Sequence, residues 1–202
     1  MAAQNLKITS GLTLGGSLDR YAAASLIYNT LSVKMYDVEF IKEGTVNYTS
    51  SDTETVLERY FDIYAVEGVV TKQDMTDISS EDGDVPGVIA LDGFEYTDET
   101  KNQYLLGYEV KAYVKKNGTG RGSVVFAEIS EQCKTLEINA DDLVDVKIDK
   151  ITYTDKNGKE KSAKLKNAAF VKNGTLLSSD ISKKAFIEKG SLRLVSNDAN
   201  AY

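Results

Sequence analysis

The sequence predicts a mainly β fold with a few short helices (α+β): a small antiparallel β-barrel or sandwich with an N-terminal helical appendage and extended terminal arms. Two observations carry this prediction. Apolar and polar residues alternate with a period of two over most of residues 62–178. Turn-forming dipeptides that tolerate positive φ punctuate the alternation. These dipeptides are Asp82-Gly83, Asp92-Gly93, Asn117-Gly118, Asn157-Gly158 and Asn173-Gly174.

Seven short strands follow from this alternation, and seven strands at such spacing are typical of a small barrel or sandwich. The third is the most regular, because its even-numbered apolar side chains, from Leu106 to Val114, share one face. The segment ITYTDKNGKEKSAKL predicts a hairpin, and NADDL, which begins at Asn139, predicts a single capped turn. The predicted strands are 62–72, 87–96, 104–115, 123–129, 133–138, 144–154 and 160–171.

The N-terminal region divides into an arm, residues 1–16, and a mixed appendage, residues 17–61. The arm is polar and glycine-containing, which indicates an extended arm or a lone strand. In the appendage, Ser17 predicts the cap of a helix that runs to about Met35, with a partly apolar stripe (Leu18, Tyr21, Ala22, Leu26, Ile27). Strands broken at Gly44 follow it.

The motif Ser51-Asp52-Thr53-Glu54 matches a capping box and predicts a short helix immediately after it. One face of that helix would present Val56, Leu57, Tyr60 and Phe61 for packing. At the other end of the chain, residues 179–202 predict a helix over 179–188, a strand SLRLV and a polar tail. The sequence leaves open whether residues 1–60 form a separate domain.

The absence of histidine is the most informative fact of composition. It removes the commonest general base and the commonest metal ligand. The single cysteine, Cys133, excludes an internal disulfide and predicts a half-buried strand residue. We therefore expect a non-catalytic protein, with no catalytic residue, no metal ligand and no cofactor.

No apolar run approaches the ~20 residues that a membrane span needs. The first residues lack the basic and apolar regions of a signal peptide, so the sequence predicts a protein made in a cytoplasm that stays there or leaves within an assembly. Residues 1–100 carry 6 basic and 18 acidic residues, whereas residues 101–202 carry 18 and 13. Complementary halves favour head-to-tail docking of copies, and net acidity argues against a nucleic-acid partner.

Several local patterns suggest binding sites but fail on spacing. Five carboxylates precede Pro86, yet positions 82, 80 and 78 do not carry the alternating ligands of a calcium loop. The glycines at 118, 120 and 122 are followed by a strand, not by the helix that a phosphate loop opens, and predict a hairpin tip. Asp141 and Asp142 have no spacing that singles them out as an acid/base pair. The acidic residues of the first pattern are Asp74, Asp77, Glu81, Asp82 and Asp84.

Basic residues concentrate in two places. Lys115, Lys116 and Arg121 form a predicted basic tip, and five lysines lie between 156 and 166. Beside tyrosines these residues suit nucleic acid, but charged strand edges that prevent aggregation are the more ordinary use. We expect contacts with neighbouring proteins to involve the arm 1–16, the acidic loop 74–86 and the basic tip 115–122.

Taken together, YFDIYAVEGVVT, GVIALDGFEY, LLGYEVKAYVKK, KTLEINADDLVDV and ITYTDKNGKEKSAKL resemble β-barrel segments of virion structural proteins of tailed bacteriophages. The resemblance covers about residues 59–177 and concerns strand texture, not a signature motif. It implies a connector, ring or tail-region component, present in many copies, whose partners are itself and other virion proteins. It also implies location in the virion after assembly in the host cytoplasm, and it implies no catalytic residues.

Two alternatives come from other classes of protein. One is a binding module of the OB type that holds a polysaccharide or single-stranded nucleic acid on a tyrosine-bearing sheet face. The other is a carboxylate-based wall hydrolase, which the lack of histidine disfavours. Salt-sensitive binding to an oligonucleotide would distinguish the first alternative from a structural subunit.

Overall fold

The computed structural model describes residues 7–13, 15, 19–42, 44–79, 86–101, 103–118, 120–177, 189–198 and 200–202. It confirms a mainly β chain with short helices. The chain divides into two compact units, Met1–Tyr64 and Ala65–Tyr202. The boundary lies three residues after the end predicted for the appendage, and the unit that follows continues to the last residue.

The first helix of unit 1, α1, spans Arg20–Leu31. Its cap is Asp19, whose Oδ1 accepts a hydrogen bond of 2.7 Å from the amide of Ala22. The predicted cap, Ser17, lies outside the described residues, and the predicted end near Met35 is wrong. The helix ends at Leu31 because the chain turns at Ser32 and Val33 and a strand begins at Lys34. No side chain of α1 is buried, so the predicted stripe does not form a core.

The described part of the arm contains a turn where the sequence predicted extended chain. The amide of Ser10 donates to the carbonyl of Lys7 at 3.0 Å, and that of Leu12 donates to the carbonyl of Thr9 at 3.2 Å. The side-chain amide of Asn29 in α1 donates to the carbonyls of Ile8 and Ser10, at 2.9 and 3.1 Å. A helix of the same unit therefore satisfies backbone groups of this segment.

A long antiparallel hairpin follows, formed by β1 (Lys34–Lys42) and β2 (Thr45–Thr55). Gly44 lies between the strands with φ 78°, which confirms the predicted break. Such a φ is easily adopted only by a residue without a Cβ.

The second helix, α2, spans Val56–Phe61, and its cap, Thr55, lies four residues after the predicted cap, Ser51. The box was misplaced because β2 continues through Ser51–Glu54. Thr55 and Glu58 repeat the same Thr-x-x-Glu spacing, and Thr55 Oγ1 accepts from the Glu58 amide at 3.2 Å. Asp62 ends the helix in the left-handed region, with φ 56°.

Unit 2 contains a six-stranded sheet in the order β4-β3-β5-β6-β8-β7. Five of its strands form a meander, β3-β5-β6, and a separate hairpin, β7-β8, and β3 also pairs with β7. The pairing of β6 with β8 is parallel, where the sequence predicted antiparallel strands only. The strands are β3 (Ile63–Gln73), β4 (Thr76–Asp77), β5 (Val88–Leu91), β6 (Phe94–Asp98), β7 (Glu109–Lys115) and β8 (Ser123–Ile129).

Several predicted strands differ in extent from those observed. The predicted strand 87–96 is a hairpin, because Asp92 and Gly93 have φ 47° and 85° and turn the chain between β5 and β6. The predicted strand 104–115 begins only at Glu109, since Gly107 has φ 81°. The alternation within it is confirmed, and its even-numbered side chains from Leu106 to Val114 are all buried.

The second half of unit 2 contains three small sheets. The predicted strand 144–154 is a hairpin, and the predicted strand 160–171 ends at Lys164, with a short strand resuming at Val171. The predicted hairpin around Asn157-Gly158 and the predicted turn at 140–142 are confirmed. The strands are β9 (Lys134–Asn139), β10 (Leu143–Lys147), β11 (Lys150–Thr154), β12 (Glu160–Lys164), β13 (Val171–Lys172), β14 (Thr175–Leu176) and β15 (Ser191–Ser196).

These small sheets bury a core of their own, and the predicted strand SLRLV is confirmed as β15, paired with β9. The predicted helix 179–188 lies outside the described residues. With the predicted strands redistributed among several sheets, unit 2 is not a closed barrel. The core side chains here are Ile138, Leu143, Val146, Ile151, Ala163, Phe170 and Leu194.

Candidate functional site

The three predicted contact segments are divided between the two units. The arm belongs to unit 1, whereas the acidic and basic segments belong to unit 2. Of the acidic loop, Asp74, Asp77 and residues 86 and beyond are described, and 80–85 lie outside the described residues. Asp77 Oδ1 accepts from the amide and the hydroxyl of Ser79, at 2.7 and 2.5 Å. Within the described ranges there is no group of three or more side chains arranged to hold a metal.

At the basic tip, the structure confirms a hairpin turn: the Gly120 amide donates to the Asn117 carbonyl at 2.9 Å. Arg121 is not available to a partner as a free cation, because its Nη2 lies 2.7 Å from Glu95 Oε2. Glu95 also forms an ion pair with the buried Lys72, whose Nζ lies 3.3 Å from Glu95 Oε1. Lys115, Lys116 and Arg121 of the predicted tip are all exposed, and Arg121 is engaged by Glu95.

The second basic stretch is also partly neutralised within the unit. Lys161 Nζ lies 3.0 Å from Asp155 Oδ2, and Lys166 Nζ lies 3.3 Å from Asp198 Oδ2. The hydrogen bond from Lys161, together with backbone amides of the turn, holds the pKa of the Asp155 carboxyl below its ordinary value. The same pairing raises the pKa of Lys161.

Unit 1 presents large apolar side chains to solvent. Among its described side chains none is buried, whereas Tyr21, Ile41 and Tyr60 are 73%, 70% and 68% exposed. The pattern extends over both helices and the hairpin, so it is not confined to one end of the unit. A set this large is unusual for a surface that meets only water. The full set is Tyr21, Ile27, Tyr28, Tyr36, Ile41, Val46, Tyr48, Tyr60 and Phe61.

Unit 2 contains a cleft of about 1100 Å³ between the edge of β3, the loop 104–108, residues 165–174 and β15. We call it the basic cleft. Its described lining includes Lys166, Lys172, Lys189 and Arg193, and no Asp or Glu. That bias is notable in a chain whose net charge is −7. Four aromatic side chains complete the lining: Tyr104, Tyr108, Phe170 and Tyr202.

The environment of Tyr104 reflects the charges around it. Burial raises the pKa of its hydroxyl, the carboxylate of Asp74 raises it further, and the positive charge of Arg193 opposes both. Arg193 is thus close enough to the cleft's aromatic wall to influence a group that lines it. Tyr202 lies under a second cation: Lys134 Nζ is 4.4 Å from its ring centroid.

A second, smaller hollow of about 620 Å³ lies beside Gln73 and Asp98. Two of its polar side chains bond to each other, since Gln73 Nε2 donates to Asp98 Oδ2 at 3.0 Å. Asp98 Oδ1 also accepts from the amide and hydroxyl of Thr100, at 2.9 and 2.6 Å. These hydrogen bonds stabilise the loop that follows Asp98.

Cys133 is half-buried, as predicted. Its Sγ accepts from the Glu109 amide at 3.3 Å and lies 3.6 Å from the Glu109 carbonyl, to which it donates. Cys133 lies one residue before β9 and not, as was predicted, within a strand, and these contacts hold its thiol against Glu109.

The basic cleft was not predicted from the sequence. Its walls come from segments about 15 to 60 residues apart, and none carries a motif. The basic excess of residues 101–202 pointed towards a basic surface, but it predicted only head-to-tail docking of copies.

No helix in the described part of the chain is both long and apolar enough to cross a membrane. Comparison with known proteins found no matching family model, no matching curated protein and no matching solved structure.

Proposed function

We propose that this chain is a non-catalytic structural subunit that acts through protein–protein contacts, as the resemblance to tailed-phage virion proteins implies. The observation that carries the proposal is the contrast between the two units. Unit 2 buries its own apolar side chains, whereas the described side chains of unit 1 remain at least partly exposed.

A unit of 64 residues is near the lower limit at which a single core is stable by itself. The hydrophobic effect contributes roughly 25 cal/mol for each Å² of apolar surface removed from water. Contact with a neighbouring protein would bury the exposed aromatic and aliphatic side chains of unit 1 and would therefore stabilise the unit. Obligate assemblies use interfaces of this apolar kind.

The partners of such a subunit are copies of itself and other virion proteins, in a ring, connector or tail region. The chain would be incorporated in the host cytoplasm and remain in the particle. Repetition by rotation generates a closed ring only when the interface is heterologous, with different surfaces meeting. The acidic first half and the basic second half of the chain suit an interface of that type.

Negative-stain electron microscopy of the purified full-length chain tests this proposal. We expect rings or tubes of uniform diameter. A field that contains no particle larger than a single chain of 22.1 kDa, at all protein concentrations, would contradict it.

A second function is favoured by the strand order of unit 2. The meander β3-β5-β6 is followed by the hairpin β7-β8, with β6 parallel to β8 and β3 paired to β7. This strand order resembles the partly open Greek-key arrangement of OB-type modules, which bind oligosaccharides and oligonucleotides. Fluorescence anisotropy with a labelled deoxythymidine oligomer and a labelled oligosaccharide tests it. Saturable binding that weakens as salt is added would favour the nucleic-acid ligand.

A further inference from the structure

The basic cleft is positioned against a strand edge. All six residues of β15 line it, although side chains of a strand point alternately to opposite faces. Consecutive residues contact one cleft only when the cleft runs alongside the strand, not over one of its faces. In the described part of the chain, β15 pairs with β9 alone, so its other edge carries backbone donors and acceptors without a strand partner.

The side chains of β15 contribute both to the core and to the cleft. Leu192 and Leu194 pack into the core of the small sheets. Arg193 occupies the alternate position, is exposed, and lines the same cleft as Tyr104. Packing of the two leucines therefore fixes the position of the strand that carries the cation.

An extended backbone already adds to a strand edge elsewhere in this unit. The Tyr202 amide donates to the Lys164 carbonyl and the Lys166 amide donates to the Tyr202 carbonyl, both at 2.8 Å. Tyr202 in this way pairs with the end of β12, at Lys164, and with Lys166 just beyond it. The edge of β15 has no such cover among the described residues.

We propose that the basic cleft binds an extended, acidic peptide segment of a neighbouring protein, which pairs with the free edge of β15. Main-chain hydrogen bonds supply affinity in this mode of recognition, and pockets for alternate side chains supply specificity. The cations Arg193 and Lys189 receive carboxylates of the segment, and Tyr104 contacts its apolar positions. The described lining contains no carboxylate that would repel such a ligand.

The volume agrees with this class of ligand. A cleft of about 1100 Å³ is at the upper end of the range that single small molecules occupy. A strand of about five residues spans roughly 17 Å, which suits a groove alongside a six-residue strand.

This inference rests on the proposed function only in taking the ligand from a neighbouring protein. Binding of an isolated peptide needs no assembled particle, so the two proposals fail separately: loss of assembly leaves peptide binding measurable, and loss of peptide binding leaves assembly measurable.

The test uses the full chain and a fluorescein-labelled peptide pool, eight residues long, with glutamate at alternate positions and mixed apolar residues between them. We expect saturable anisotropy with the pool and none with the matching glutamine pool. A pool with methylated backbone nitrogens on the pairing side is expected to bind at least about tenfold more weakly, because it cannot donate to a strand edge.

Arg193→Gln and Lys189→Gln are each expected to weaken binding by about tenfold, the loss typical of one charge-assisted contact. The matched control is Lys156→Gln, which removes the same charge from an exposed turn position outside the cleft and is expected to leave affinity unchanged. Amide hydrogen exchange provides a second readout, because peptide binding should slow exchange along β15.

Equal binding of the glutamate and glutamine pools would overturn the proposal, as would equal losses in the cleft variants and in the control. Binding of a deoxythymidine oligomer at the same site, with no binding of the peptide pool, would also overturn it and assign the cleft to nucleic acid.

Discussion

The buried side chain of Gln73 bonds to the backbone on both sides of Tyr104. Its Oε1 accepts from the Leu105 amide at 2.7 Å, and its Nε2 donates to the Gln103 carbonyl at 2.6 Å. The side chain thus satisfies one backbone donor and one backbone acceptor, as the backbone of a neighbouring strand would. It fixes the loop that carries Tyr104 into the wall of the basic cleft.

The first prediction concerns this pairing. Gln73→Met keeps the length of the side chain but leaves the Leu105 amide without its partner, so we expect a loss of roughly 1–3 kcal/mol in the free energy of unfolding. Urea unfolding followed by circular dichroism measures it. Thr71→Val is the matched control, because Thr71 Oγ1 is buried without a hydrogen-bond partner and its removal should cost nothing. Equal losses in the two variants would contradict the account.

A second prediction concerns Gly68 and Asp92. A Cβ at Gly68 would lie 2.7 Å from Asp92 Oδ2, and the other carboxylate oxygen accepts from the Val69 amide at 3.1 Å. Gly68→Ala should therefore destabilise the protein by roughly 1–3 kcal/mol, the usual cost of overpacking.

A double-mutant cycle identifies the cause of that loss. In an Asp92→Gly background the clash is absent, so Gly68→Ala should cost clearly less than in the parent chain. Glycine suits position 92, where φ is 47°. Additive losses would show that the carboxylate is not what restricts the position.

A third prediction concerns pH. The pKa of Asp155 is lowered by Lys161 and by the amides of Lys159 and Asn157. Its contribution to stability is therefore present above the ordinary aspartate pKa, about 3.9, and is lost as pH falls through the lower, folded-state pKa. Carbon-13 NMR titration of the carboxyl should place its midpoint below that ordinary value.

The variant Lys161→Gln is expected to raise the pKa of Asp155 only part of the way, because both backbone donors remain. Asp155→Asn should remove this contribution to acid sensitivity altogether. An Asp155 midpoint at or above the ordinary value in the parent chain would contradict the pairing.

Features that depend on local sequence patterns were the ones predicted correctly. The alternation from Leu106 to Val114, the break at Gly44 and the hairpin at Asn157-Gly158 depend on local periodicity and turn chemistry, and all were predicted correctly. The capping box at Ser51 was misplaced because Thr55 offers the same pattern four residues later, and local preference does not choose between the two.

The features that were not predicted depend on pairing between segments far apart in the sequence. Nothing in the sequence indicates that β6 and β8 are parallel, or that Arg193 and Tyr104 line one cleft, because these arrangements join segments far apart in the chain. The ion pair of Arg121 with Glu95 was missed for the same reason, and it removes one cation from the predicted basic tip.

A fourth prediction concerns the two units as separate fragments. Residues 65–202 contain the buried core residues, so this fragment should unfold cooperatively by itself. Residues 1–64 should show no cooperative thermal transition in isolation, because their described side chains are not buried. A sharp transition in the shorter fragment would contradict the need for a partner.

A fifth prediction concerns the exposed side chains of α1. The double variant Tyr21→Ser, Ile27→Ser should weaken self-association without lowering the thermal stability of unit 2, because both residues are largely exposed. Ile148→Ser is the control, since Ile148 is 73% exposed but belongs to a turn of unit 2. Sedimentation velocity across a concentration series measures the change, and equal effects of both variants would assign association to general apolar exposure.

The most direct test of the structural-subunit account is the native mass of the full chain, measured by light scattering after size exclusion at several ionic strengths. The account predicts a discrete multimer of the 22.1 kDa chain. The population of this multimer should fall as salt is added, because salt screens the attraction between the acidic half of one copy and the basic half of the next. A single-chain mass at every salt and protein concentration would contradict it.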